Sequence, residues 1–235
     1  MTEIHDVRGT SFIVAEYRGR ENAEQNPLYR DPIVSLFLSE QTQQAADRIA
    51  GGFPPSGQGV RLRTRFFDDR LDEELGRGCQ QVVILGAGLD TRGVRKQAAG
   101  VTYFEIDDAD ILNFKKEQLA KAGIEAQILY IPGNYVVEGL LRLLAANGFN
   151  FDLPSYVIWE GNTMYLNRSE VLKLLMDLRN NVAEFAISFD YLTEAVINYA
   201  TRDERTSAFA KRFAEMDARW TFGIDDLDAL AGAAG

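Results

Sequence analysis

The sequence predicts an α/β fold with a mostly parallel sheet and helices on both of its faces. Three observations support this prediction. Five short apolar runs, rich in β-branched and aromatic residues, follow residue 80 and are too short for helices. Amphipathic stretches with a helical period separate them. The chain has 235 residues and is 46% hydrophobic, which suffices for one substantial core. Such alternation of strands and helices is typical of a parallel sheet.

Two helices are predicted before the sheet. The first begins with Asp31 as its N-cap and Pro32 at its first position, and it continues to Gly51. A second, at 60–75, has apolar residues at helical spacing and ends at Gly76. The stretch 51–59 between them is rich in Gly and Pro, and it is the one joint that we expect along the chain.

The remaining elements follow from the alternating pattern. Strands are predicted at 82–85, 101–104, 128–131, 156–159 and 185–189, and helices at 109–122, 136–147 and 168–181. The last of these helices opens with Asn167 and Glu170 in the arrangement of a capping box. Continuous apolar runs are typical of strands buried on both faces. Residues 191–222 have a helical pattern rich in charge, and a short helix is predicted at 229–231.

Composition disfavours several classes of function. Lys and Arg number 25 against 35 Asp and Glu, and the net charge of −10 repels nucleic acid and anionic membrane surfaces. The sequence has one cysteine, Cys79, and one histidine, His5, so we expect no internal disulfide, no metal site and no histidine-based triad. The N-terminus does not resemble a signal peptide and no apolar run suits a spanning helix, so we expect a cytoplasmic protein.

The strand at 82–85 runs directly into Gly86-Ala87-Gly88. A single G-x-G is a weak signal, because ordinary strand-to-helix turns contain it too. The next strand leads to Asp107, 21 residues after Gly86, which is close to the spacing at which an acid meets ribose hydroxyls. The sequence therefore predicts a nucleoside ligand at the carboxyl end of a central strand.

The third glycine of the dinucleotide pattern is absent from this turn. Thr91 stands in its position, and Gly93 comes two residues later. A seat for a pyrophosphate at the helix N-terminus is therefore poorly formed. A nucleoside without phosphates, such as S-adenosylmethionine, fits this turn better than NAD does.

Four blocks of sequence carry a more specific signal. They are RLRTRFFDD at 61–69, QVVILGAGLDTR at 81–92, FEID at 104–107 and WEGNTMYL at 159–166. In these blocks the chain resembles the leucine carboxyl methyltransferase family, whose bacterial branch contains S-adenosylmethionine-dependent methyltransferases and polyketide carboxyl O-methyltransferases. The resemblance implies a Rossmann-like class I methyltransferase fold with an N-terminal helical lid. It also implies S-adenosyl-L-methionine as the cofactor and S-adenosyl-L-homocysteine as its product.

The resemblance assigns roles to residues that would surround the cofactor. Arg63 would pair with its methionine carboxylate, a task suited to a guanidinium. Gly86, Ala87 and Gly88 would line the methionine and ribose, Asp107 would accept from the ribose hydroxyls with Glu105 as the less favoured acid, and Glu160 would face the amino group. Asp90 would cap the following helix or touch the cofactor through water.

Further residues would serve the adenine and the methyl acceptor. Where the family commonly has an aspartate and an apolar residue against adenine, this chain has Asn134 and Tyr135, and Asn134 keeps a carbonyl acceptor but lacks the charge. Tyr165 would lie beside the transferred methyl group. Arg18 or Arg20 would neutralise the acceptor's carboxylate; solvated surface arginines are the structural alternative.

The resemblance also implies an organisation and a substrate class. Residues 1–79 would form the lid, and residues 80–235 the cofactor-binding core with a helical insertion at 191–222, all in one compact domain. The acceptor would be a small carboxylic acid, for example a polyketide-like one. A carboxylate is already deprotonated near pH 7, so a single histidine is compatible with this chemistry. The alternatives are a nicotinamide-dependent oxidoreductase and a catalytically silent S-adenosylmethionine-binding protein.

The number of strands departs from the family pattern. The sequence supplies five strands, whereas a methyltransferase sheet of this type normally has seven. The run at 185–189 would then be an exposed apolar edge, which proteins usually avoid. We expect the chain to be truncated, to have an edge of low stability, or to cover this edge by forming a homo-oligomer.

Overall fold

The five predicted apolar runs form one parallel sheet in the computed structural model, which describes residues 7–215 and 218–234. The strands are β1 (Gln81–Leu85), β2 (Thr102–Asp107), β3 (Ile128–Pro132), β4 (Ser155–Trp159) and β5 (Phe185–Phe189). Their order in the sheet is β3-β2-β1-β4-β5, and every pairing is parallel. The predicted α/β class is confirmed, and β1, which leads into the glycine turn, is the central strand.

Helices precede, connect and follow the strands. Those of the described residues are α1 (Val7–Arg20), α2 (Glu40–Gly52), α3 (Pro55–Gly76), α4 (Arg92–Arg95), α5 (Ala109–Lys121), α6 (Leu140–Ala146), α7 (Arg168–Asn181), α8 (Glu194–Ile197), α9 (Glu204–Glu215) and α10 (Leu227–Ala234). Short 3-10 turns lie at Glu21–Ala23, Ile33–Phe37 and Thr163–Tyr165. The predicted capping box opens α7: the Asn167 side chain accepts from the Glu170 amide at 3.0 Å and the Glu170 carboxylate accepts from the Asn167 amide at 2.8 Å.

The predicted helix from Pro32 to Gly51 is wrong as a single element, because it divides into a 3-10 turn and α2. Asp31 does cap its start, accepting from the Val34 amide at 3.1 Å. The chain then becomes extended at Ser39, whose hydroxyl accepts from the Thr42 amide at 3.2 Å and begins α2. Ser39 thus supplies a second N-cap inside the predicted helix.

The predicted joint at 51–59 is mostly helical. Gly51 and Gly52 close α2, and α3 already begins at Pro55, five residues earlier than predicted. Proline suits the first turn of a helix, where its missing N–H is not needed. Gly57 brings α3 close to the Tyr17 ring, since a Cβ there would lie 3.4 Å from Cδ1. Only Phe53 and Pro54 separate the two helices.

Three other helix boundaries differ from the predictions. α6 begins only at Leu140, because Gly139 before it has a φ of 87° and does not continue a helix. Among the described residues of the segment 191–222, the helices are α8 and α9. The last helix, α10, is longer than predicted because Asp226 accepts from the Ala229 amide at 2.8 Å and starts it early.

The two faces of the sheet are covered by different helices. Val83 and Leu85 of β1 point to the face on which α6, α7 and α10 pack, whereas Val82 and Ile84 point to the face covered by α3. Strands β1 and β4 are buried throughout, as predicted, but β5 lies at one edge of the sheet and its residues are half-buried. The division into a lid and a core stays a prediction, and His5 lies outside the described residues.

Candidate functional site

A cavity of about 400 Å³ lies over the carboxyl ends of β1, β2, β4 and β5. Parallel strands of an open α/β sheet bind ligands at this edge. Helices α1, α3 and α9 complete the walls of the cavity. The structure brings most of the predicted site residues to it, namely Arg18, Arg63, Gly86, Ala87, Gly88, Asp90, Asp107, Glu160 and Tyr165.

The turn after β1 requires its two glycines. Gly86 has a φ of 61°, and a Cβ there would lie 2.3 Å from the side-chain amide of Asn162. Gly88 has a φ of 46°, and its amide donates to Asp107 Oδ2 at 2.6 Å. The Asn162 amide in turn donates to the Glu160 carbonyl at 2.8 Å and to the Gly86 carbonyl at 3.3 Å. The ends of β1, β2 and β4 are therefore connected by hydrogen bonds.

Asp107 and Glu105, both on β2, have different environments. Asp107 lines the cavity, and its other oxygen accepts from the Asp108 amide at 2.6 Å. Burial raises the pKa of Asp107, while these backbone hydrogen bonds act against that shift. Glu105 is fully buried against Lys115, with 2.5 Å between the charged groups, and does not line the cavity. Burial raises the pKa of Glu105 to about 7 in spite of the ammonium.

Arg63 lies between two acids at the ends of neighbouring strands. Its Nε donates to Glu160 at 2.8 Å and its Nη1 to Asp190 at 2.9 Å, while Nη2 makes no hydrogen bond with the described residues. Burial alone would lower the pKa of the Arg63 guanidinium, but Asp190 and Glu160 raise it above its ordinary value. Asp190 also accepts from the Gly161 amide at 2.6 Å, so it fixes both Arg63 and the loop after β4.

Arg92 is a buried side chain behind the cavity lining that the sequence reasoning missed. It is 1% exposed, and its guanidinium donates to Asp68 at 2.7 Å, Asp90 at 2.6 Å and Glu160 at 2.7 Å. A further bond goes to the Thr64 carbonyl at 3.2 Å. Arg92 and Asp68 both belong to the sequence blocks quoted above, but nothing in their sequence separation predicts that their side chains are in contact. Arg92 joins α3, the glycine turn and β4.

The ion pairs determine the charge of Glu160 and the position of Asp90. Burial alone would raise the pKa of Glu160, but Arg92 and Arg63 lower it below the ordinary value, which favours the ionised carboxylate. Asp90 accepts from the Arg92 amide at 2.7 Å, so its carboxylate lies at the N-terminus of α4. Thr91 is the N-cap residue of α4, and Asp90 directly before it also lines the cavity, so a contact of Asp90 with a ligand stays a prediction.

Thr91 and Gly93 explain the altered glycine pattern. The Thr91 hydroxyl is buried and donates to Asp31 at 2.7 Å. A Cβ on Gly93 would lie 2.7 Å from Ile128 Cδ1 and 2.9 Å from Glu105 Oε1. Gly93 therefore permits the close packing of α4 on the sheet, two residues after the position that usually does so.

Of the two arginines considered for the acceptor, Arg18 lines the cavity and Arg20 does not. Arg18 donates to the Leu89 carbonyl, and its Nε lies 3.5 Å from Asp31 Oδ2. Arg20 points outwards and donates to the exposed Asp47 at 2.7 Å. Through Arg18, α1 is attached to the chain that follows the glycine turn.

Tyr165 and the two residues expected near adenine lie in different surroundings. Tyr165 ends a 3-10 turn and lines the cavity, and burial raises the pKa of its hydroxyl. Asn134 is exposed, and its side-chain carbonyl accepts from the Val136 amide at 3.0 Å. The Tyr135 hydroxyl accepts from the Trp159 indole at 3.0 Å inside the core. Neither Asn134 nor Tyr135 is in the lining.

Two further features of the described residues bear on function. Within 7–215 and 218–234, no three His, Cys, Asp or Glu side chains are grouped so that they could hold a metal ion. None of the helices in these ranges combines the length and the apolar character needed to cross a membrane.

Comparison with known proteins finds that the chain is similar to the members of one family. The family model described as leucine carboxyl methyltransferase matches residues 11–179. A Frankia alni protein, provisionally named an S-adenosyl-L-methionine-dependent methyltransferase, is 32% identical over 185 residues, which are 72% of this chain and 63% of that protein. A Mycobacterium tuberculosis protein with the same provisional name is 32% identical over 188 residues, which are 73% of this chain and 57% of the other. The chain thus spans about three fifths of the length of these relatives.

Solved structures agree on the fold. A DUF574-family protein of Streptomyces avermitilis superposes with a TM-score of 0.66 at 11% identity, over 94% of this chain and 80% of that one. A protein of Thermobifida fusca, provisionally described as a methyltransferase, superposes with a TM-score of 0.63 at 15% identity, over 93% of this chain and 79% of that one. The fold is Rossmann-like, of the class I methyltransferase type.

Proposed function

Because the chain belongs to the leucine carboxyl methyltransferase family, we propose that it binds S-adenosyl-L-methionine and transfers the methyl group to a carboxylate of a small acid. One observation carries the proposal. The glycine turn, Asp107, Arg63 and Glu160 come from distant parts of the sequence and line one cavity. These residue types match the ribose, carboxylate and ammonium groups of that cofactor.

The residues present fit the cofactor chemically. The Asp107 carboxylate accepts one backbone amide on each oxygen, and each oxygen has a further lone pair for a ribose hydroxyl. Arg63 Nε and Nη1 hold Glu160 and Asp190, whereas Nη2 has no partner in the described part of the chain and can donate to a ligand carboxylate. Gly88 lets the backbone approach a ligand at a position where a Cβ would meet Ser11 Cβ at 3.2 Å.

The same turn argues against a dinucleotide. A pyrophosphate would need the free amides at the N-terminus of the helix after the turn. Here the Asp90 carboxylate accepts from the Arg92 amide, so an anion of the protein already uses that position. The helix that follows, α4, also has only four residues. Both facts favour a nucleoside without phosphates over NAD.

The proposed reaction needs little acid–base chemistry. S-adenosyl-L-methionine supplies an electrophilic methyl group bound to a sulfonium. An oxygen of the acceptor carboxylate forms a bond to this carbon while the carbon–sulfur bond breaks and its electron pair stays on sulfur, so no proton moves. The work of the chain is to orient the two molecules and exclude water, which Tyr165 and the α1 residues around Arg18 would do.

Calorimetry and a transfer assay test the proposal. We expect S-adenosyl-L-homocysteine to bind and NADH not to bind, and we expect label from methyl-labelled S-adenosyl-L-methionine to enter a base-labile ester when a panel of small acids is supplied. Binding of NADH alone would favour the oxidoreductase alternative. Binding of S-adenosyl-L-homocysteine without transfer to any acid would favour a catalytically silent binding protein.

A further inference from the structure

Part of the cavity lining consists of four aromatic rings, which we call the aromatic wall: Phe53, Phe209, Phe213 and Trp220. Phe53 stacks on Phe209 with 4.5 Å between the centroids, and Phe213 stacks on Trp220 with 4.8 Å. Phe209 joins the two pairs, with its centroid 5.0 Å from that of Phe213 and 5.9 Å from that of Trp220. The wall is therefore one continuous surface, built from the α2–α3 junction, α9 and the chain after α9.

The surroundings of the aromatic wall are apolar or already hydrogen-bonded. Ile13, Ile49 and Val60 line the cavity as buried apolar neighbours. The Tyr17 hydroxyl donates to the Ala46 carbonyl at 3.1 Å and accepts from the Ser56 hydroxyl at 3.1 Å. Neither hydroxyl needs a ligand. This part of the site thus offers a large apolar contact area, and aromatic rings make such contacts particularly favourable.

One polar atom of the aromatic wall lacks a well-aligned hydrogen bond. The indole Nε1 of Trp220 is buried and has no partner of good geometry among the described residues, although it lies near enough to the Tyr165 hydroxyl to act against the rise that burial causes in the pKa of that group. An indole N–H can only donate, and a buried donor without a well-aligned acceptor carries a cost in free energy. An oxygen atom of a ligand would remove this cost.

The backbone holds Trp220 beside the residues proposed to surround the reacting groups. The amide of Thr221 donates to the Met164 carbonyl at 2.7 Å, and the Thr221 hydroxyl donates to the Leu166 carbonyl at 2.9 Å. Met164 and Tyr165 line the same cavity. The aromatic wall is therefore attached to the loop that follows Glu160.

We propose that the methyl acceptor is a carboxylic acid with a bulky apolar body, which packs on the aromatic wall while one oxygen accepts from Trp220 Nε1. This inference rests on the proposed function, because it assigns the acceptor of that reaction. A peptide C-terminus would fit less well, since its amide groups would lie unpaired against the rings. A small hydrophilic acid would leave the apolar area without contacts.

Binding of a graded series of acids to the complex with S-adenosyl-L-homocysteine tests this inference without depending on turnover. The probes are lactate, 3-phenylpropionate, 3-(2-naphthyl)propionate and N-acetyl-Gly-Leu, measured by calorimetry. We expect the affinity to rise with the apolar area of the acid, the naphthyl compound binding at least about tenfold more tightly than lactate. Equal affinities, or preferential binding of lactate or the peptide, would overturn the inference.

Two variants test the assigned contacts. We expect Trp220→Phe, which keeps a ring but removes the donor, to weaken binding of the naphthyl acid by about three- to tenfold. Phe209→Leu keeps an apolar side chain but removes the ring, and we expect it to weaken binding of the naphthyl acid by a similar factor. Arg205→Ala, on the exposed side of α9, is the matched control and should bind like the wild type. If neither aromatic variant weakens binding, the inference is wrong.

The affinity for S-adenosyl-L-homocysteine and the melting temperature, measured on every variant, separate the two proposals. An unchanged cofactor affinity shows that the other part of the cavity is intact. If apolar acids bind but no methyl group is transferred to any of them, the inference stands and the proposed function fails. If lactate and the peptide are methylated as efficiently as the naphthyl acid, the proposed function stands and the inference about the acceptor fails.

Discussion

Arg92 and Glu160 are 68 residues apart in the sequence, yet Arg92 Nη1 lies 2.7 Å from Glu160 Oε2 in the interior of the protein. The same guanidinium also holds Asp68 and Asp90. Three carboxylates are thus gathered around one buried cation. Removing one member of such a group is costly, because it leaves largely buried charges without partners.

Replacing this cation should therefore destabilise the fold. We expect Arg92→Lys to lower the free energy of unfolding by about 3–5 kcal/mol, since an ammonium cannot reach the acceptors that the planar guanidinium spans. Urea unfolding followed by circular dichroism measures this. Arg142→Ala, which breaks an exposed pair with Glu138, is the control and should cost less than about 1 kcal/mol. An equal decrease in the free energy of unfolding in the two variants would contradict the stabilising role of Arg92.

Arg63 should govern cofactor affinity rather than stability alone. We expect Arg63→Lys to weaken binding of S-adenosyl-L-homocysteine by about tenfold or more, because a single ammonium cannot hold Glu160 and Asp190 and also meet a ligand carboxylate. Calorimetry gives the dissociation constant. Arg65→Lys, on the exposed face of the same helix, should leave it unchanged. An Arg63→Lys protein with wild-type affinity would rule out this contact.

Asp190 should act through Arg63 and the loop after β4. Asp190→Asn keeps the shape but weakens the pair with Arg63 Nη1 and the bond from the Gly161 amide. We expect a loss of cofactor affinity smaller than that of Arg63→Lys. The double variant should bind S-adenosyl-L-homocysteine only slightly more weakly than Arg63→Lys alone, since the two residues belong to one network. Additive losses would show that Asp190 acts independently of Arg63.

The strands and several residues of the candidate site could be predicted from the sequence. All five strands were predicted because each is a short apolar run that neighbouring turns and helices delimit. Residues at the end of a strand or directly after it, such as Gly86, Asp107 and Glu160, could also be expected to lie close together, because the ends of parallel strands meet at one edge. The local sequence pattern suffices to predict the strands, and the topology of a parallel sheet suffices to predict which residues lie at their ends.

What could not be predicted depends on contacts between distant segments. Asp68 was noted only as part of a sequence block, and nothing near it in the sequence indicates that it meets Arg92 and Arg95. Asn134 was expected to offer its side-chain carbonyl to a ligand, but this oxygen already accepts from the backbone amides of Val136 and Val137. Ser39 divided a predicted helix because a short polar cap can outweigh a broken apolar stripe.

Adding a single methyl group at Gly93 should destabilise the protein. We expect Gly93→Ala to lower the free energy of unfolding by about 1–3 kcal/mol, because the new methyl group would overlap Ile128 Cδ1 and Glu105 Oε1. Gly51→Ala, in α2 with open space around its Cα, should be neutral or stabilising by up to about 1 kcal/mol. The two variants are compared by urea unfolding. A harmless Gly93→Ala would mean that α4 can move away from the sheet.

Glu105 should make stability depend on pH. Its pKa in the folded protein is about 7, above the value of about 4.3 in an unfolded chain, so folding binds a proton. The stability that protonated Glu105 contributes is complete below about pH 4.3 and is lost as the pH rises through about 7. The double variant Glu105→Gln, Lys115→Met removes both members of the buried pair with little change of shape. Between about pH 5 and about pH 7.5, the wild type should lose stability relative to this variant; a constant difference would contradict the shift.

Gly86 offers a test of the turn itself. Gly86→Ala would strain a residue with a φ of 61° and would place a methyl group 2.3 Å from the Asn162 amide, which connects β1 to the Glu160 loop. Gly78→Ala is the matched control, since Gly78 also has a positive φ, of 97°, but has nothing within 4 Å of the added atom. Both variants should lose about 1–2 kcal/mol of stability from backbone strain. Only Gly86→Ala should also weaken binding of S-adenosyl-L-homocysteine, by about tenfold or more, because it displaces Asn162 and with it the loop that carries Glu160. If calorimetry finds the same affinity in both variants, the turn after β1 does not form part of the cofactor site.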